Sequence, residues 1–422
     1  MRKLKINYKI VLGICIIFFL LTNINISYAD DISEEDDNTN VAFDENNLEV
    51  STEPTKEPTI SSRAAVIIDR KTGLVVYEKN SNDIRKMAST TKIMTAIVVI
   101  ENTPNLYETV TVSKKAASVG GAVLGLRTND KITINDLLYG LMLKSGNDTA
   151  IALAEAVGGS VEGFAEIMNK KAKEIGLENT HFVTPHGLDS EEHYTTAYEL
   201  ATLANYALNN QKFKEIVGTK MYTVHINGQS VGVSNGNELL GNFAGVYGVK
   251  TGFTNGANRC LVTACERDGV DLIAVVLGAD TKNIRTKDSM NILKYVYQNF
   301  EYVDLESKIN KEFLEWNRDN FVEIEKGIDM YADLKLDNIT YSQILVNKNN
   351  INRIKVELEC EQFFESPIYE NTKVGEVIVK LGEDEILKTD ILIKKTIEKK
   401  SILEYLNEIM KSFKKFMVET GI

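Results

Sequence analysis

The chain has 422 residues and a formal net charge of −12. Its length allows two domains with cores of their own. An acidic chain with no clustered excess of Lys and Arg does not suit a nucleic-acid partner, whose phosphates require one.

In chain order, Arg2, Lys3, Lys5 and Lys9 precede an apolar run over 10–21 and then small Ser27 and Ala29. This is the layout of an export signal over residues 1–29, with cleavage expected after Ala29. The alternative is an uncleaved anchor, although the run is shorter than the roughly 20 residues a bilayer span needs. Residues 30–60 are acidic and polar, with Pro54 and Pro58 near the end, and are expected to be a solvated tether. From Arg63 onward, apolar runs at 64–68 and 74–77 flank Arg70-Lys71-Thr72-Gly73 and predict a β-hairpin with glycine in its turn. Helical periodicity follows at 93–101, 134–143, 149–157 and 161–175, with Gly176 as a stop. Strands are expected at 260–264 and 272–277, joined through Asp268-Gly269, and then a helix over 287–300. This order predicts an α+β domain over 61–302, with a helix cluster beside an antiparallel sheet.

Beyond residue 303 the pattern changes to short alternations at 320–324, 351–358, 374–381 and 386–393, which predict a small all-β domain over 303–398. The tail, 399–422, places Ile402, Leu406, Ile409, Phe413, Phe416 and Met417 on one helical face, with Lys411, Lys414 and Lys415 around it. Such an amphipathic helix suits a membrane surface, or packing on its own protein or another subunit. With Cys15 inside the signal, only Cys260, Cys265 and Cys360 remain, so no disulfide framework is expected. Cys260 and Cys265 point to opposite faces of one predicted strand and read as small buried apolar residues.

The chemical signal is Ser89-Thr90-Thr91-Lys92, immediately ahead of the apolar helix. A serine hydroxyl is a poor nucleophile without a base in hydrogen-bond reach, and residues three apart on a helix share a face. Lys92 can therefore reach Ser89, and burial with a second nearby cation would favour the uncharged amine that a base must be. Spacing alone is weak evidence, because Ser412 and Lys415 repeat it, Ser289-Met290-Asn291 repeats Ser145-Gly146-Asn147, and Lys71-Thr72-Gly73 repeats Lys250-Thr251-Gly252. Order is what discriminates: only Ser89 to Lys92, then Ser145 to Asn147, then Lys250 to Gly252 supplies all three elements in sequence.

With these three motifs the chain resembles the low-molecular-mass penicillin-binding proteins, the serine D-alanyl-D-alanine carboxypeptidases, whose signature is S-x-x-K, S-x-N and K-T-G. The likeness extends to Asn179-Thr180-His181-Phe182, Pro185-His186-Gly187-Leu188, Thr196-Ala197 and Gly248 to Thr254, and more weakly to Ser366-Pro367-Ile368 and Val374-Gly375-Glu376 in the β-rich region. The resemblance implies a penicillin-binding/transpeptidase-like catalytic domain acting on a peptidoglycan stem peptide, with β-lactams as covalent inhibitors and no metal or organic cofactor. It implies Ser89 as the acylated nucleophile, Lys92 as its base and Ser145 as a proton relay. Asn147 would orient the substrate amide. Lys250 and Thr251 would bind the terminal carboxylate, with Gly252 allowing close backbone approach, and the N–H groups of Ser89 and Phe253 would form the oxyanion hole. Arg285 falls where the family often has an arginine that could help hold the carboxylate; a salt bridge to a helix acid such as Asp288 is the alternative. One departure is Asn258, at a place the family commonly fills with glycine.

Among rival readings, His181, His186, His193 and His225 form no His-Glu-x-x-His run, and no Gly-x-Ser-x-Gly elbow occurs. In the loop around His181 and His186 an imidazole is expected to satisfy backbone groups. A β-lactamase shares the Ser, Lys and Lys-Thr-Gly elements, but no Glu-x-x-Leu-Asn segment lies between Ser145 and Lys250. A non-catalytic wall-binding protein would have no need of intact motifs. An exported enzyme held at the outer face of the cytoplasmic membrane is the expected location.

Overall fold

The computed structural model describes residues 55–420. The expected export segment, 1–29, and the tether up to residue 54 lie outside the described residues. The chain divides into two compact units, Lys56–Tyr295 and Val296–Ile422.

In the first unit Ile60 is already buried, and the backbone N–H groups of Ser61 and Ser62 donate to the Asp288 carboxylate, so packed structure starts ahead of Arg63. Strands β1 (Ala64–Asp69) and β2 (Val75–Lys79) form the expected hairpin, with Gly73 at φ 74° in its turn. A 3-10 turn, Ala88–Thr91, leads into α1 (Lys92–Asn102). Next come β3 (Thr109–Thr111), the one-turn helix α2 (Lys114–Ala117) and β4 (Lys131–Thr133), whose two strands pair. Helices α3 (Ile134–Leu143), α4 (Asn147–Gly158) and α5 (Val161–Ile175) then match the periodicity closely, and α5 stops at Gly176. Thr133 and Ser160 cap α3 and α5 by accepting the backbone N–H groups of Asp136 and Gly163.

Helices α6 (Ala197–Leu208) and α7 (Gln211–Gly218), the hairpin of β5 (Met221–Ile226) with β6 (Gln229–Ser234), and strand β7 (Val246–Thr254) were not anticipated by the pattern. Two glycines and a lysine inside β7 hide its strand character, since Gly is depleted from strand interiors. β8 (Asn258–Arg267), β9 (Val270–Ala279) and α8 (Lys282–Asn299) close the unit, and Tyr295 and Val296 within α8 mark its end. The sheet is antiparallel with strand order β2-β1-β9-β8-β7, which puts β7 at an edge. Helix α1 is apolar almost all round and is buried against α3, α4, α5, α6 and α7 at the centre of the helix cluster. Cys260 and Cys265 are buried in β8, as their composition suggested.

The second unit corrects one expectation: the region after residue 303 does not open on strands alone. After β10 (Phe300–Asp304) comes the helix α9 (Leu305–Asp319), capped by Asp304 and burying Leu305, Ile309 and Phe313 at four-residue spacing. The β domain follows with β11 (Glu323–Glu325), β12 (Leu334–Leu336), β13 (Gln343–Asn347), β14 (Ile354–Cys360), β15 (Phe363–Glu365), β16 (Lys373–Leu381) and β17 (Asp384–Ile393). Its main sheet has the order β12-β17-β16-β14, while β11 pairs with β15 in parallel and β10 with β13. The chain ends in the amphipathic helix α10 (Ile402–Thr420), whose apolar side chains Ile402, Leu406, Ile409, Phe413 and Phe416 are exposed.

Candidate active site

Folding brings the first motif to the mouth of the helix cluster. Ala88 adopts φ 50°, a left-handed conformation, and the 3-10 turn that follows places Ser89 one turn ahead of Lys92 at the start of α1. Ser89 and Lys92 are both buried, Lys92 completely. Its Nζ lies 2.8 Å from Ser89 Oγ, and donates to Asn147 Oδ1 at 2.8 Å and to the His186 carbonyl at 3.0 Å. The two carbonyl oxygens are pure acceptors, so they account for two N–H groups of the amine. An uncharged amine then keeps its lone pair for the hydroxyl hydrogen of Ser89, which is the arrangement a general base needs.

The second motif is held as firmly. Asn147 Nδ2 donates to the Gly120 carbonyl at 2.9 Å, which fixes the amide so that its oxygen faces Lys92. Asp148, also buried, accepts the backbone N–H groups of Leu124, Gly125 and Leu126 and pins the loop that carries Gly120. Ser145 stands in the connection from α3 to α4 with φ 61°, followed by Gly146, where an added Cβ would come within 2.7 Å of Thr149 Oγ1.

The third motif lies on β7. Lys250 and Thr251 are buried, and a Cβ built on Gly252 would stand 3.1 Å from the backbone nitrogens of Ser89 and Thr90. The strand therefore passes directly beside the nucleophile turn, as close as a residue without a side chain allows. Lys250 shares its face of the strand with Gly252 by period-two alternation. Phe253, next along, carries the Arg259 guanidinium 4.0 Å from its ring centroid. Asn258 takes φ 57°, a left-handed conformation that suits glycine, and Asn is among the few other residues that visit it readily.

Arg285 is buried and salt-bridged to Glu238, which also receives Lys282 at 2.8 Å. Burial alone would raise the Glu238 carboxyl, but Arg285 and Lys282 outweigh it and hold the group below the usual carboxylate range. Glu238 was not foreseen as the partner; Asp288, the acid the sequence offered, receives Ser61, Ser62 and the Ser62 hydroxyl instead.

His181, His186 and His193 meet backbone groups, whereas His225 is exposed with Nδ1 3.7 Å from Asp136 Oδ2. His186 Nδ1 accepts the Leu188 N–H, and His193 Nδ1 accepts the Val183 N–H while Nε2 meets Thr91 Oγ1 at 2.7 Å. Burial, with Lys92 beside it, pushes His186 down to about 3, and burial pushes His193 down to about 4. Nothing in the residue pattern marks the His186 carbonyl as a partner of Lys92, because a backbone acceptor has no side-chain signature. The Pro-His-Gly run marked only that the loop is special.

The chain is similar to known proteins. The profile of a family described as D-alanyl-D-alanine carboxypeptidase matches residues 51–281, and that of the penicillin-binding protein 5 C-terminal domain matches 322–399. The D-alanyl-D-alanine carboxypeptidase DacF of Bacillus subtilis is 32% identical over 368 residues, covering 86% of this chain and 92% of its own. The crystal structure of D-alanyl-D-alanine carboxypeptidase DacD from Francisella tularensis superimposes with a TM-score of 0.66 at 27% identity, covering 81% of this chain and 95% of that one. A Streptomyces DD-transpeptidase structure matches with a TM-score of 0.55 at 35% identity, covering 57% of this chain and 98% of its own.

Proposed function

The chain belongs to the D-alanyl-D-alanine carboxypeptidase family, and on that premise we propose that it removes the terminal D-alanine from peptidoglycan stem pentapeptides through an acyl-enzyme on Ser89. The observation that carries this reading is the 2.8 Å approach of Lys92 Nζ to Ser89 Oγ within a buried cluster. Lys92 takes the hydroxyl proton as Ser89 Oγ bonds to the carbonyl carbon of the penultimate residue. The N–H groups of Ser89 and Phe253 stabilise the oxyanion. Collapse breaks the C–N bond, and the proton passes by way of Ser145 to the amine of the departing D-alanine. Water then adds to the ester, releasing the shortened peptide and restoring the Ser89 hydroxyl.

Asn147 holds both the substrate amide and the orientation of Lys92. Lys250 and Thr251 receive the substrate carboxylate, and a cation there suits a chain-terminal anion. The salt bridge of Arg285 to Glu238 supports a structural part for this arginine: Glu238 adjoins Asn237, whose Nδ2 donates to the Gly248 carbonyl on β7. A β-lactam presents a reactive amide beside a carboxylate and would acylate the same serine.

The proposal extends to location. An export segment at 1–29 would deliver the enzyme to the outer face of the cytoplasmic membrane. The exposed apolar row of α10, flanked by Lys411, Lys414 and Lys415, suits a helix lying in the membrane surface. Among the described residues no helix is long and apolar enough to cross a membrane.

Chromatography of the purified protein with a D-Ala-D-Ala-ended peptide tests the activity. Free D-alanine is expected from the wild type and none from Ser89→Ala. Equal release by the two proteins would end the reading.

A further inference from the structure

The run Pro185 to Asp189 touches both walls of the site. Towards the nucleophile, Thr95 Oγ1 donates to the Pro185 carbonyl at 2.6 Å and Lys92 Nζ to the His186 carbonyl at 3.0 Å. Gly187, at φ 90°, lies so close that an added Cβ would stand 2.0 Å from the Ala88 carbonyl oxygen. The loop is thus seated against the turn that carries Ser89. Two residues on, the Asp189 carboxylate faces the other wall. Thr254 Oγ1 donates to one of its oxygens at 2.7 Å and the Gly256 N–H to the other at 2.8 Å. Thr254 is itself buried, ends β7, and accepts the Ala257 N–H.

We infer that Asp189 is a positioning residue, which ties the end of the Lys250–Thr254 strand to the loop seated on the nucleophile and so sets the spacing of the two walls. The inference rests on the acyl-transfer reading of Ser89, Lys92 and Lys250. Asp189 lies at the exposed rim, so its carboxylate does not hold the fold together through burial. Its two acceptor oxygens are both used by groups that follow the K-T-G motif within six residues, and neither contact involves a reacting atom. Removing the tie leaves Ser89 and Lys92 paired but lets β7, with Gly252 and Phe253, drift from Ser89. Misplacement of about an ångström in such a site lowers rates by about a hundredfold.

The test is a double-mutant cycle on Asp189 and Thr254, following the rate of penicillin acylation of Ser89 by mass spectrometry and kcat/KM for D-alanine release. Asp189→Ala and Thr254→Val are each expected to slow both by about tenfold to a hundredfold, and the pair to be no slower than the worse single variant, because both break one tie. Thr254→Ser, which keeps the hydroxyl, is expected to restore the wild-type rate. Asp189→Asn keeps the size but offers one acceptor oxygen, and is expected to fall between wild type and Asp189→Ala; it also serves if the alanine variant folds poorly. A wild-type rate in Asp189→Asn and Asp189→Ala, or single effects that multiply in the pair, overturns the inference while leaving the acyl-transfer reading intact. Absence of any adduct on the wild type fails both.

Discussion

Lys92 meets three oxygen atoms, of Ser89, Asn147 and His186, and that limits what can replace it. Lys92→Met keeps the volume but removes the base, so acylation by penicillin should fall by about 10²–10⁴-fold; labelling within a few-fold of wild type would exclude the base role. His186 and His193 make a different prediction. Both are held neutral, at about 3 and about 4 against 6.5 for the free imidazole. The unfolded chain therefore binds protons first as pH falls. Their contribution to stability is full above about pH 6.5 and is lost towards pH 3–4, at about 1.4 kcal/mol per pH unit for each. Melting curves should show the stability gap between wild type and His193→Gln narrowing from about pH 7 to about pH 5; a constant gap would contradict the assignment. At this scale the side chains of the motifs were legible, because Ser-x-x-Lys and Lys-Thr-Gly are side-chain statements. Glu238 as partner to Arg285 and the His186 carbonyl were not, since both pairings depend on how distant segments meet.

Among the elements, the turn that carries Ser89 is approached closely by two glycines with different reasons for being glycine. Gly252 leaves room for the backbone of Ser89, whereas Gly187 combines φ 90° with a Cβ direction that runs into Ala88. Gly187→Ala should therefore be among the most damaging single changes, losing soluble folded protein or lowering the melting temperature sharply; a fully stable, active variant would show that the loop is not seated as described. Asn258 predicts the reverse. Asn258→Gly should be tolerated within about 0.5 kcal/mol, while Asn258→Ala, forced to φ 57°, should cost about 1 kcal/mol by chemical denaturation. Elements with clear periodicity, such as α3 and α5, could be read from sequence almost to the residue. Strand β7 could not, because Gly248, Lys250 and Gly252 stand where a strand would ordinarily place β-branched residues. Helix α9 is masked by the surrounding alternation, which suggests strands, although the Asp304 cap and the spacing of Leu305, Ile309 and Phe313 mark it.

For the molecule as a whole, the three motifs and the exposed apolar helix belong to different parts of the chain. All three motifs lie within Lys56–Tyr295, and the exposed apolar helix lies at the far end of the second unit. Removal of residues 400–422 should leave D-alanine release unchanged and abolish recovery of the protein with anionic liposomes; equal recovery with and without the tail would remove the membrane role and leave the chemistry standing. The change of hydrophobic pattern near residue 303 suggests a catalytic and a β domain, whereas the break between the two compact units falls inside α8, where a continuous helix carries no boundary signal. The central claim is that an amine and a hydroxyl brought together by folding make Ser89 an acylating nucleophile. Peptide mapping by mass spectrometry after incubation with a labelled penicillin tests it most directly: one adduct on the peptide containing Ser89 and none on Ser89→Ala is the expected result, and an adduct that survives the substitution, or none on the wild type, would contradict it.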